Sequence, residues 1–504
     1  MIQAPLVDDA ATRRRSSGAR YESPLPLAGL VALTFFSVTG GPFGQELLVK
    51  AGGPLVALGS FALMTLLWSV PEALMTAELS SAFPEAAGFA AWSNAAYGPL
   101  VAWVDAWCSW VSGVVDNAVY PVLVLEYASR ATDAFDDPLP RALFVVGFVA
   151  GLTYLCHRGL DLTGRSAVAL TAFVLAPFGV LVVVAIPTLR PARWLARPAA
   201  WRDVRLRSLV NNLFWNVNYY DSASAWAGDT RRETWGVAMA SSVALCAASS
   251  LLPMLAATGG SSLDRRDYRN GSYVTIATDL AGPWLGLWIV LSAAAANVGM
   301  FVSEMSSDAY QLTGMAERGL LPAALAKKSD TAGTPTLAIL LSAGGVLALS
   351  RLSFEAIVAT ENLLYVVSMV IELSAFYRLR KTRKDLDRRY VAPLSDGALL
   401  ATLAPAVLCL ALVAAVQPLE VWLLSAGLLV AGLALYGAIG ATRRGNRLCA
   451  YHVLHADWAA PPGGLAARLG WADRLDDDPA ALPEYDAAPP ELSTGDEAAS
   501  PLTS

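Results

Sequence analysis

Charge is scarce in this sequence. Of its 504 residues only 15% are Asp, Glu, Lys or Arg, and histidine occurs three times, at His157, His452 and His455. Soluble domains carry about 25% charged residues. A chain this poor in charge, with 55% hydrophobic residues, is not a soluble enzyme built round one apolar core. The five cysteines, Cys108, Cys156, Cys246, Cys409 and Cys449, show neither a disulfide framework nor metal-site spacing. No nucleophile–base arrangement appears, and no histidine lies within the membrane core, so no enzyme activity, metal or cofactor is expected. No nucleic acid is expected as a partner of a chain with net charge −6.

What the sequence has in quantity is long uncharged stretches. They cover 23–45, 51–71, 86–104, 166–189, 234–263, 280–303, 331–350 and 397–419. Most reach the roughly 20 residues a helix needs to cross a hydrocarbon core. The expected fold is therefore all-α and integral to a membrane. About twelve transmembrane helices are expected, at 26–52, 54–80, 97–128, 141–157, 166–188, 207–228, 235–258, 280–314, 335–351, 354–378, 398–416 and 419–440. Twelve crossings put both termini on one face. That face collects 21 Lys and Arg against 13 on the other, with two more in the distal tail, so the N- and C-termini are expected to be cytoplasmic. The strongest vote is seven basic residues within 378–389, and the dissent is six arginines within 190–207. The first 22 residues hold Arg13, Arg14, Arg15 and Arg20 and no apolar stretch, which argues against a cleaved signal peptide. The domain division expected is a disordered basic cytoplasmic N-terminus over 1–24, a ten-helix core over 25–394, two peripheral helices over 395–442, and a largely disordered acidic cytoplasmic tail over 443–504.

Two spans are unlike ordinary lipid-facing helices. The first is interrupted by Thr39-Gly-Gly-Pro-Phe-Gly44, and the sixth carries the polar run Leu213-Phe-Trp-Asn-Val-Asn-Tyr-Tyr-Asp-Ser222. Broken backbone at membrane depth is tolerated where it is buried in protein or lines a cavity. Interrupted first and sixth helices are what two inverted five-helix repeats with a binding site between them would show. A proline kink without function is the plainer alternative for each taken singly.

The expected spans hold no central Lys or Arg, yet Glu46, Glu72, Glu78, Asp105, Asp116, Glu126, Asp221, Glu304, Asp308, Glu361 and Glu372 lie within or near them. Each would cost ~2.5–3.5 kcal/mol at the centre of a lipid-facing helix. Glu78, Glu126 and Glu372 sit near expected helix ends, where water reaches them. The others must face the bundle interior, a cavity or a partner. Their available partners are protons, water, hydroxyl and amide groups, and a positively charged guest. This asymmetry points to a small organic cation as the substrate, and exchange of a proton for an ammonium group on such an acid would couple the two.

Several strings carry a family resemblance. Ser37-Val-Thr-Gly-Gly-Pro-Phe-Gly-Gln-Glu46, Trp68-Ser-Val-Pro-Glu-Ala-Leu-Met-Thr-Ala-Glu-Leu79, Ser112-Gly-Val-Val-Asp-Asn-Ala-Val-Tyr-Pro121 and Gly299-Met-Phe-Val-Ser-Glu-Met-Ser-Ser-Asp308 resemble the polyamine uptake transporters of the amino acid–polyamine–organocation (APC) superfamily. Glu361-Asn-Leu-Leu-Tyr365 fits as well, and the resemblance runs from about residue 24 to 394. It implies an APC/LeuT-like 5+5 inverted repeat with broken helices 1 and 6, and proton-coupled symport of putrescine, spermidine or spermine into the cytosol. It implies substrate contacts from Gly40, Gly41 and Phe43 in the first break, Asp116, Asn117 and Tyr120 in the third helix, Trp215 and Tyr219 in the sixth, and Glu304 in the eighth. Asp308, one turn beyond Glu304, would extend the acidic path, and Glu46 and Glu361 are further candidates. Asp221, at the position of a proton-linked gating acid in related exchangers, and Glu304 are the expected coupling residues. Each acid has a structural alternative: a cap for the broken helix at Asp221, interhelical hydrogen bonding at Glu72 and Asp105. Tyr220 stands where many members have tryptophan, and the His157-Arg158-Gly159 corner lacks the usual Asn-Tyr pair.

Two other functions suit the same sequence. A cationic amino acid transporter or exchanger would use the break at 39–43 to hold a carboxylate, and a non-transporting nutrient receptor would keep the fold without the flux. Exchangers with a disulfide-linked heavy chain carry a cysteine after the third helix; the loop 129–140 has none, so no such partner is expected. The plasma membrane is the expected location.

Overall fold

The computed structural model describes residues 25–128, 133–135, 137–158, 165–329 and 331–445. The basic segment 1–24, residues 129–132 and 136 of the loop 129–140, and the acidic tail with Cys449, His452 and His455 lie outside the described residues, as does the side chain of Glu126. Among the described residues the structure is helical, with a single isolated bridge between Leu25 and Thr230.

The helices, in chain order, are α1 (Leu27–Val38), α2 (Glu46–Met64), α3 (Val70–Ala82), α4 (Gly88–Tyr97), α5 (Pro99–Asn117), α6 (Val119–Ala128), α7 (Pro138–His157), α8 (Arg165–Ala185) and the short α9 (Pro191–Trp194). They continue with α10 (Leu206–Trp215), α11 (Trp235–Gly260), α12 (Ser272–Ala281), α13 (Pro283–Glu317), α14 (Thr336–Leu349), α15 (Phe354–Thr382), α16 (Asp396–Ala415) and α17 (Leu419–Gly445). Among the described residues nine helical stretches are long and apolar enough to cross a membrane, and α1 and α14 are shorter apolar helices.

The bundle is apolar outside and polar within. Leu66, Val183, Leu287, Leu408 and Leu423 stand exposed on its outer surface, while Glu72, Asp105, Asp116, Asn117, Asp221, Glu304 and Glu361 are buried. That inversion of the soluble pattern is stable only with hydrocarbon around it.

Both expected breaks are present. After α1 the chain leaves the helix at Thr39, whose amide and that of Gly40 both reach back to the Phe35 carbonyl, at 3.0 and 2.9 Å. Gly40, Gly41 and Gly44 then take φ of 55°, 127° and 79°, conformations that a side chain resists and glycine adopts freely. Helix resumes at Glu46. It turns again at Gly53 (φ 75°), before Pro54. In the second break, α10 ends at Trp215, residues 216–220 are irregular, and the chain continues as 3-10 turns over Asp221–Asp229. The span expected as one helix over 207–228 is thus two unlike halves. The short helices α4 and α12 were not expected as separate elements.

At one end of the bundle the basic stretch after α15 folds back over the helix ends. Arg380 and Arg388 approach the buried Glu78 carboxylate at 3.4 and 3.1 Å, and the Ala392 amide donates to it at 2.9 Å. Arg232 donates to the Ser81 carbonyl and pairs with Asp387 at 2.9 Å. Arg318 pairs with Glu85 at the same end. The last two helices are tied to the rest by the indoles of Trp103 and Trp107, which donate to the carbonyls of Gly432 and Leu428, and by the Asn211–Gln417 amide pair.

Candidate functional site

The site forms where the two breaks face α5, α13 and α15. Asp116, near the end of α5, accepts from the Trp215 indole at 2.6 Å on one oxygen and from the Tyr120 hydroxyl at 2.8 Å on the other. The same Tyr120 hydroxyl contacts Glu304 of α13. Glu304 and Asp116 also lie within hydrogen-bonding reach of each other. Two carboxylates this close do not both carry charge in a buried site unless a proton or a cation stands with them. Burial is nearly complete, at 3% exposure for Asp116 and 2% for Glu304.

Asp308, one turn along α13, extends the pair. It accepts from Asn117 at 3.4 Å, and its carboxylate lies where a side chain at Gly113 would go. Glu361 of α15 accepts from Asn218 at 3.2 Å with one oxygen, while the other has no hydrogen-bond partner. No Lys, Arg or His among the described residues bonds to any of these four acids. Ser37, Thr39, Asp116, Tyr120, Trp215, Asn216, Asn218 and Met300 line a small cavity with room for about one water molecule.

The glycines of the first break serve close approach. A side chain at Gly44 would stand 2.8 Å from the Trp215 ring, and one at Gly40 would run into the Met300 thioether. Trp215 is held from its far side by Phe354, edge-on at 5.6 Å.

A second acidic group begins at Asp221. The Tyr365 hydroxyl bonds to Asp221 and, at 2.8 Å, to Glu72. Glu72 also accepts the Tyr220 and Asp221 amides at 2.5 and 3.3 Å, which caps the exposed N–H groups where the 3-10 turns begin. Tyr219 joins the two groups. Its ring stacks on Tyr365 at 4.5 Å and 10°, its amide reaches the Tyr365 hydroxyl at 3.1 Å, and its own hydroxyl meets Ser112 at 2.5 Å. It is the one non-glycine residue with positive φ, 73°, among the described residues. A bulky side chain held in that conformation is strained, and such strain gathers at functional sites.

The structure thus brings Asp116, Asn117, Tyr120, Trp215, Tyr219, Glu304, Asp308 and Glu361 together, with Gly40 in the wall and Asp221 one layer away. Phe43 and Glu46 lie apart. The Phe43 ring packs edge-on against Phe178 at 5.3 Å, with Gly41 behind it, and Glu46 accepts the Gly271 amide at 3.1 Å near Tyr268 and Tyr273. Glu372 and Glu78 correct the expectation of wet helix ends: both are fully buried, because α15 continues to Thr382 and the chain beyond folds over that end, bringing Arg388 and the Ala392 amide onto Glu78. Tyr365, Asn216 and Asn218 were not singled out from sequence. The four-residue step from Glu361 to Tyr365 on one helix face was the available signal for the first.

Comparison with known proteins gives the family. The amino acid permease family model matches residues 29–439. The chain is 44% identical over 436 residues, 86% of its own length and 81% of the relative's, to the protein named polyamine transporter PUT1 of Oryza sativa subsp. japonica. It is 42% identical over 420 residues, 83% of each chain, to the probable polyamine transporter At1g31830 of Arabidopsis thaliana. To the polyamine transporter RMV1 of the same plant it is 42% identical over 409 residues, 81% of this chain and 83% of the relative.

Proposed function

Because this chain belongs to the amino acid permease family, we propose that it is a proton-coupled polyamine symporter, carrying putrescine, spermidine or spermine into the cytosol by alternating access. Membership makes it a multi-pass membrane transport protein and not an enzyme. The observation that carries the substrate class is the Asp116–Tyr120–Glu304 cluster, which buries two carboxylates against one hydroxyl with no basic partner among the described residues. An ammonium group supplies the missing positive charge. Asp308 and Glu361, on either side, give a second ammonium a place, and Trp215 and Tyr219 wall the methylene stem between them. Asp221 and Glu304 take the coupling proton.

The names of the relatives support this choice over a cationic amino acid, and so does the first break. Two amides that would hold a substrate carboxylate there, those of Thr39 and Gly40, are spent on the Phe35 carbonyl. The cavity is too small for a polyamine, so one half of the bundle must move to admit one. In this reading α1 with the start of α2 forms the first crossing and α10 with the 3-10 turns the sixth. Twelve crossings then divide into two inverted sets of five, with α16 and α17 peripheral. The end bearing Glu78, Arg380 and Arg388 is cytoplasmic, as are both termini, and the host is the plasma membrane.

Competition in proteoliposomes tests the proposal. Unlabelled spermidine should block labelled putrescine uptake while arginine does not, and an inward proton gradient should drive accumulation. Arginine competing as well as spermidine would favour the amino acid reading; binding without accumulation would favour a receptor.

A further inference from the structure

Glu372 lies fully buried on α15, and neither of its carboxylate oxygens meets a hydrogen-bond partner among the described residues. Its charged neighbours are Asp221, Asp105 and Glu72, which come from three other elements, and Tyr365 lies two turns before it on its own helix. Asp105 has Cys108 beside it and is likewise fully buried. No basic side chain is among these neighbours.

The group has an ordered route to the substrate site. On α15, Glu361, Tyr365, Ser368 and Glu372 recur at helical spacing along one face; on α5, Asp105, Ser109, Ser112 and Asp116 do the same. The two faces meet in antiparallel register, pinned by Ser112 donating to the Glu361 carbonyl at 3.3 Å and Ser368 donating to the Asp105 carbonyl at 3.2 Å. Eleven residues of helix span roughly 16 Å. Asp105 and Glu372 therefore stand about that far from Asp116 and Glu361, toward the end closed by Glu78, Arg380 and Arg388.

We propose that Glu372 and Asp105, with Glu72 and Asp221, form a proton-release station between the substrate site and the cytoplasmic end of the bundle. This rests on the proton-coupled reading above. Exposure of the four acids is 0% for Glu72, Asp105 and Glu372 and 1% for Asp221, so no water-sized space adjoins them. None of the four lines the cavity beside Asp116 and Trp215, which places them to take a proton and not an ammonium on a methylene stem. A buried carboxylate without a hydrogen bond is tolerable as the neutral acid and costly as the anion, so Glu372 holds a proton while this end is shut and gives it up when it opens to water, whereas Glu72, with three donors on it, is supported as the anion that can accept one. Within the station the proton leaves an Asp221 O–H as the Tyr365 hydroxyl passes its own proton to Glu72 and takes the new one. Water first removes the proton that Glu372 holds at the open end, and the vacated carboxylate, with Asp105, accepts the next one from Glu72.

The test uses the full chain in liposomes, as wild type, E372Q, D105N, the double variant and E372D. Counterflow of labelled putrescine against unlabelled putrescine at equal pH needs substrate movement but no net proton release. Accumulation under an inward proton gradient needs both. The station requires E372Q and D105N to lower gradient-driven uptake by about tenfold or more while counterflow stays within about twofold of wild type. E372D, which keeps the carboxylate, should retain accumulation. Variants that accumulate like wild type would overturn the station. So would loss of counterflow together with uptake, since the acids would then belong to substrate handling or to the fold. A wild type that exchanges putrescine but never accumulates it under the gradient would instead sink the coupled reading on which the station rests.

Discussion

Replacing Glu304 by Gln removes one charge from the Asp116–Tyr120–Glu304 cluster and little else. The amide keeps the size of the side chain and an oxygen to accept the Tyr120 hydroxyl. Both acids are almost completely buried, so an ammonium between them loses a desolvated partner. Truncating one member of such a pair costs about 2–5 kcal/mol, which is roughly 30- to 5,000-fold in affinity. Asp116→Asn should fall in the same range, with an added cost for the Trp215 indole that now meets a weaker acceptor. Tyr120→Phe removes one donated hydrogen bond to a carboxylate and no charge, so its loss should be about 1.5–3 kcal/mol, toward the lower end of the charge variants. The assay is concentration-dependent uptake of labelled spermidine, with protein in the membrane quantified for each variant. A Tyr120→Phe defect larger than that of Glu304→Gln would refute the electrostatic origin of the site. Wild-type apparent affinity in Glu304→Gln would do the same.

Other substitutions probe the scaffold. Gly44→Ala places a side chain at φ 79° and 2.8 Å from the Trp215 ring; it should cost roughly 1–2 kcal/mol from the backbone alone and lower both the unfolding temperature in detergent and uptake. Glu78→Gln leaves Arg380 and Arg388 without their buried counter-charge and should destabilise by about 3–5 kcal/mol, read as a lower unfolding temperature that Glu85→Gln, at a more exposed pair, does not match. Glu46→Gln should leave spermidine affinity within about threefold, because that carboxylate accepts the Gly271 amide away from the acid cluster.

Much of this was legible in the residues. The first break follows from three glycines and a proline within six positions, and the second from a polar run that no lipid-facing helix carries. The surplus of buried acid over base marked the cluster before any geometry was known. Less was legible where partners come from distant segments. Nothing in the sequence tells that the Trp215 indole turns to Asp116, or that Tyr219 takes positive φ, since tertiary contacts with Tyr365 and Ser112 hold it there. Glu72 read as a packing acid and does cap the broken sixth segment, yet it also touches the hydroxyl that bonds Asp221. Glu372 was read as wet because α15 was ended too early, at 378. The chain beyond Thr382 then covers that end through Arg380 and Arg388 bonds to backbone carbonyls, a fold-back that hydropathy does not register.

Equilibrium binding of labelled spermidine to purified wild type and to the Asp116→Asn, Glu304→Gln double variant addresses the substrate site without any dependence on flux. Wild type should bind saturably, with displacement by putrescine and not by arginine, and the double variant should bind nothing measurable at the same concentrations. Equal binding by the two proteins would contradict the assignment of the buried acid pair as the ammonium site.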